Sequence, residues 1–88
     1  MTKSANWTAL RATLEALQQS VVEEIRAYPF PIPACDAQFN RLLELRRLLP
    51  EELARLDAAS KDAGASIEAF VRASPCGAEI AAAEAATA

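Results

Sequence analysis

Cys35, Asp36, Gln38 and Asn40 stand within six consecutive positions, a thiol, a carboxylate and two amides close together. A thiol in the first turn of a helix faces unpaired backbone N–H groups, which favour the thiolate and make a nucleophile or redox centre conceivable. Cys76 also follows a proline at the start of a helix-forming stretch, so a Cys35–Cys76 redox pair is a second option. Against both stands the absence of histidine: there is no imidazole to act as a base for the thiol. Asp36, Gln38 and Asn40 lie two and four residues apart, and on a helix such positions do not share one face. Asp36 is expected to cap a helix, with Gln38 and Asn40 bonding the carbonyls of the neighbouring proline-rich segment or a partner chain.

Other constellations fail sooner. Without histidine, and with two cysteines, a structural zinc site is not expected. The carboxylate pairs Glu23–Glu24 and Glu51–Glu52 are adjacent and expected to face solvent, whereas acid–base pairs need contrasting environments in a cleft. Two glycines provide no phosphate-cradling loop. Arg41, Arg46 and Arg47 could hold an anion, but the carboxylates interspersed among them dilute the field. The expectation is a non-enzymatic protein with no cofactor, no metal and no small-molecule ligand.

The elements that position these residues are helical. Hydrophobic residues make up 52% of the chain, much of it alanine, and glycine and aromatic residues are scarce, which argues against a β-rich fold. Trp7, Leu10, Leu14, Leu17, Val21, Ile25 and Tyr28 recur at spacings of three and four, with Val22 widening the stripe. Ser4 or Asn6 can cap this first helix. Pro29 must end it near Tyr28, because the residue before a proline is disfavoured in the α conformation.

Tyr28, Phe30 and Ile32 each precede a proline, so the segment to Pro33 is expected to be extended and stiff. At about 3.1 Å per residue it would cross roughly 15–20 Å, enough to bridge two packed helices. A second stripe runs through Phe39, Leu42, Leu45, Leu49, Leu53 and Leu56 and fades into Ala59 and Ala63. Cys35, Leu42, Leu49, Leu56 and Ala63 keep a seven-residue register past Pro50. That favours a kinked, roughly collinear rod over a new helix beginning at Pro50. On its outer face, Glu51–Arg55 and Asp57–Lys61 have the order that favours i,i+4 pairing. Gly64 suits a left-handed stop, and Ser66 can cap a short helix carrying Ile67, Phe70 and Val71.

Two units follow: a helical domain over 1–74, and an alanine-rich tail over 75–88 expected to be a frayed helix or disordered. The fold expected is all-α, an antiparallel hairpin joined by a proline strap with a short third helix. Val22, Ile25, Leu43 and Leu48 lie off the main seam, so either the short helix covers them in a three-helix bundle, or a second copy does in a dimeric four-helix bundle. The dimer is preferred, with Val22, Ile25 and Leu43 as its interface. Tyr28, Phe30, Ile32, Cys35, Asp36, Gln38, Phe39 and Asn40 form a structural corner that a partner could also read.

The net charge of −3 disfavours non-specific binding to nucleic acid, and no apolar run is long enough to span a membrane. No secretion signal is visible at the N-terminus, so a cytoplasmic, bacterial-type protein with reduced thiols is expected. The stretch Ala34-Cys35-Asp36-Ala37-Gln38-Phe39, followed by leucine periodicity, resembles the start of the second helix in the small helical-hairpin co-chaperones of type III secretion needle subunits. That resemblance, confined to the start of the second helix, implies a partner-binding helical protein.

Overall fold

The computed structural model describes residues 6–29 and 36–86, and within them the chain forms four helices and no strand. The first, α1 (Trp7–Ala27), starts where the Asn6 side chain accepts a hydrogen bond from the Ala9 N–H at 2.8 Å. It ends as Pro29 requires: Tyr28 is extended, with its N–H bonded to the Ile25 carbonyl.

The second, α2 (Ala37–Ser60), is capped by Asp36, whose carboxylate accepts the Phe39 N–H at 2.9 Å. It continues through Pro50 as one helix, the collinear alternative. Pro50 is exposed, so the carbonyl it deprives of an N–H partner lies toward water, where the loss is cheapest. Gly64 is not the left-handed stop expected from its position, since its φ is not positive. The helix is closed instead by Lys61, whose N–H reaches the Ala58 and Ala59 carbonyls. Asp62 then folds the chain onward by accepting the Gly64 N–H.

Ser66 caps α3 (Ile67–Ala73) through the Ala69 N–H, and α4 (Gly77–Ala86) follows directly. Within the stretch expected to be a frayed helix or disordered, residues 77–86 are helical and packed against α1. Cys76, Ile80 and Glu84 recur every four residues and are all buried, Cys76 and Ile80 completely. One large apolar side chain suffices because a thiol and a carboxylate complete its stripe.

The core joins Leu10, Leu14 and Val21 of α1 to Leu42, Leu45, Leu49 and Leu56 of α2, and closes with Phe70, Cys76 and Ile80. Trp7, Leu17, Ile25, Tyr28, Leu48 and Leu53 pack around it. Trp7 meets Phe70 edge to face at 5.8 Å between ring centres. One chain thus supplies four helices to its own core, and Ile25 and Leu48 belong to that core. Val22 and Leu43 do not.

Candidate functional site

At the turn between α1 and α2, the hydroxyl of Tyr28 donates to the Asp36 carboxylate at 2.8 Å, on the same oxygen that accepts the Phe39 N–H. The Tyr28 and Phe39 rings lie 5.0 Å apart between centres. One carboxylate thereby caps α2 and ties the end of α1 to it. The hydrogen bond to Asp36, followed by burial and the negative charge of Asp36, raises the Tyr28 pKa. Of the corner residues read from sequence, the structure brings Tyr28, Asp36 and Phe39 together; Gln38 and Asn40 are exposed. Phe30, Ile32 and Cys35 lie outside the described residues.

A second polar assembly joins α2 to the corner between α3 and α4. Glu52, 5% exposed, receives both Arg55 nitrogens, at 2.7 and 3.1 Å, and the Ser74 hydroxyl at 2.6 Å. Arg55 also donates to the Phe70 carbonyl at 3.0 Å and stacks its guanidinium 3.7 Å from the centre of the Phe70 ring. Further along α2, Arg41 grips Glu79 in a two-pronged contact at 2.9 and 3.1 Å, and donates to the Pro75 carbonyl at 2.8 Å. It also pairs with Glu44.

The expectation that Glu51 and Glu52 both face water is therefore half right. Leu45, Leu49, Glu52 and Leu56 form one stripe at spacings of four, three and four, so Glu52 falls among core leucines. That spacing was the available signal, and charge alone led to the solvent reading. The ion pairs differ as well. Glu51 pairs with Arg47 rather than Arg55, which is committed to Glu52, and Asp57 pairs with Arg11 across the hairpin rather than with Lys61.

The electrostatics of this assembly follow from its contacts. Burial pushes the Glu52 carboxyl up, but the hydrogen bonds from Arg55 and Ser74 and the Arg55 charge outweigh it and hold the pKa low. Glu79 is held low chiefly by the Arg41 hydrogen bond, against burial. Burial, reinforced by Glu52 and Glu79, pushes the Cys76 thiol up against the opposing influence of Arg41 and Ser74. Cys76 is a free, buried thiol whose thiolate is disfavoured, the reverse of what a nucleophile needs. Among the described residues, no group of three potential ligands is arranged to hold a metal ion.

The arginine cluster is divided. Arg41 is turned to Glu79, Glu44 and the Pro75 carbonyl, Arg47 pairs with Glu51 at 3.3 Å, and Arg46 is exposed. No helix among the described residues is long and apolar enough to cross a membrane.

The remaining feature is a surface. Arg41, Glu52 and Arg55 mark the side of α2 turned toward α3–α4. Leu43, two residues beyond Arg41, is rotated about 200° from it and faces away. The Arg11–Asp57 pair bridges α1 and α2 on that other side. Val22 lies about three turns along α1 from Arg11, and Leu43 about four turns along α2 from Asp57, so both fall on it. Each is half-buried. No family model, no curated protein and no solved structure matches the chain. The resemblance at 34–39 to the secretion co-chaperones thus finds no counterpart among them.

Proposed function

We propose that this is a small, non-enzymatic helical protein that acts through protein–protein contact, and that the open side of its α1–α2 hairpin pairs with a second copy. One observation carries the reading: among the described residues, Val22 and Leu43 are half-buried and outside the core cluster, and helical geometry places both on the Arg11–Asp57 side of the hairpin, away from the side of α2 turned to α3–α4. The same side carries charges of both signs, with Glu15 seven residues before Val22 and Arg46 three after Leu43. A two-fold contact can set such charges against one another. Of the expected interface residues, Val22 and Leu43 are kept in this reading, and Ile25 packs against the chain's own core. The thiol reading gains no support from Cys76, which is buried and held protonated.

Sedimentation across a concentration series tests the proposal. Wild type is expected to rise from its 9.4 kDa monomer mass toward twice that value. Leu43→Glu is expected to stay monomeric with an unchanged helical circular dichroism spectrum, because Leu43 lies outside the core cluster. Wild type that remains monomeric throughout, or a Leu43→Glu variant that associates equally well, contradicts the proposal.

A further inference from the structure

The α3–α4 pair is fastened to the rest of the molecule differently from the way α1 and α2 are fastened to each other. The hairpin seam is leucine-rich along its length. From Phe70 onward, the fully or nearly fully buried apolar side chains are Phe70, Cys76 and Ile80, and most of α4 is alanine. The hydrogen-bonded links of this pair to α2 are charge-assisted. Arg41 holds Glu79 and the Pro75 carbonyl, while Arg55 holds the Phe70 carbonyl and, with Ser74, the Glu52 carboxylate.

Within the pair, the corner is rigid. The Ser74 N–H bonds the Val71 carbonyl, the Gly77 N–H bonds the Ser74 carbonyl, and the Cys76 N–H bonds the Ser74 hydroxyl. Gly77 approaches α3 so closely that a Cβ there would meet the Val71 carbonyl oxygen at 2.9 Å. By contrast, the connection to α2 over 61–66 is exposed apart from Ala65. Its hydrogen bonds are short-range, from Asp62 to Ala59, Ala65 to Asp62 and Gly64 to the Asp62 side chain. A rigid corner, a locally bonded connection and polar fastenings are the ingredients of a unit that moves as a body.

We propose that α3–α4 is a clasp that opens from the α1–α2 hairpin as one unit about 61–66, ahead of global unfolding, with the Arg41–Glu79 and Arg55–Glu52–Ser74 contacts as its latches. Burial of Phe70, Cys76 and Ile80 holds the clasp shut most of the time, so the open form is a minor population. Opening uncovers the side of the hairpin opposite Val22 and Leu43, so the clasp is independent of the self-association proposed above.

Cys76 is a built-in reporter, because its thiol is fully buried while the clasp is shut. In a Cys35→Ser background at mildly alkaline pH, an aromatic disulfide reagent reads the open fraction when closing outruns labelling. Arg41→Gln removes one latch and is expected to speed Cys76 labelling about tenfold, with α4 amide exchange accelerated alongside and amides in the middle of α1 unchanged. Loss of the Arg41 charge alone would make the thiolate scarcer and slow labelling, so an increase reports opening rather than reactivity. Equal labelling in wild type and variant overturns the proposal. So does labelling that rises only in step with exchange at the middle of α1, which means that the chain opens globally. Should Arg41→Gln fail to fold, added salt on the Cys35→Ser protein provides the same test. Screening the part-exposed Arg41–Glu79 pair is expected to raise labelling relative to α1 exchange, and a constant ratio overturns the clasp.

Discussion

Leu49→Ala is expected to destabilise the protein by about 3 kcal/mol, lowering Tm by roughly 10–20 °C. Leu49 is completely buried near the middle of α2, one turn before Glu52, among the residues of the single core cluster. Truncation there removes transfer energy and leaves a cavity that helices on either side cannot readily collapse. A loss of this size is a large part of what holds a small domain together. Leu43→Ala is the matched control: same helix, same chemistry, but outside the core cluster, so its cost should be below about 1 kcal/mol. Urea or thermal unfolding of the two variants, followed by circular dichroism, checks the difference. Equal losses would mean that the face assignment of α2 is wrong.

Glu52→Ala is expected to cost about 2 kcal/mol, against nearly nothing for Glu51→Ala next to it. Glu52 is buried and holds three donated hydrogen bonds, so its removal strands Arg55 and Ser74 together. The loss stays below that of a wholly buried pair, because the Arg55 side chain is 38% exposed and can be rehydrated. The same contact has a pH signature. The folded-state pKa of Glu52 is lowered, so its contribution is present above the ordinary carboxylate value of 4.5. It is lost as pH falls from there through the depressed folded value. Glu79 contributes with the same sign. Wild type should therefore lose stability on acidification more steeply than Glu52→Gln, measured as urea midpoints at a series of pH values. Parallel slopes would mean that Glu52 is no more tightly held in the folded protein than in the unfolded chain.

Much of this architecture was legible in residue spacing. The stripes from Trp7 to Tyr28 and from Phe39 to Leu56 define both long helices. Asp36 and Ser66 are caps, Pro29 is a stop, and the unbroken register past Pro50 marks one helix. These features are local, or repeat at the helical period. What sequence reading missed was decided between distant segments. Glu52 looked solvated because it is charged, although its place between Leu49 and Leu56 is a core place; its partner Arg55 lies three residues on along the same helix, but Ser74 becomes evident only when the corner between α3 and α4 folds back onto α2. Residues 77–86 looked too alanine-rich to pack, yet Arg41 on a remote helix supplies the fastening that their side chains lack. Gly64 suited a left-handed stop by type, but Lys61 and Asp62 had already satisfied the last carbonyls.

The site was less legible than the fold. Tyr28, Asp36 and Phe39 form a corner held by a shared carboxylate oxygen. Ile25 belongs to the α1 stripe and was also expected at the interface; in the structure it is partly buried and packs against the chain's own core. Val22 and Leu43, outside the core cluster among the described residues, are the positions proposed for a partner.

Amide hydrogen exchange, at a dilute and at a concentrated sample, tests for this self-association. If Val22 and Leu43 mark a self-association face, exchange should slow with concentration around residues 20–26 and 40–47. Exchange in α3 and α4, on the other side of the hairpin, should not change. Exchange that is the same at both concentrations, or protection that appears on α3–α4 instead, would contradict it.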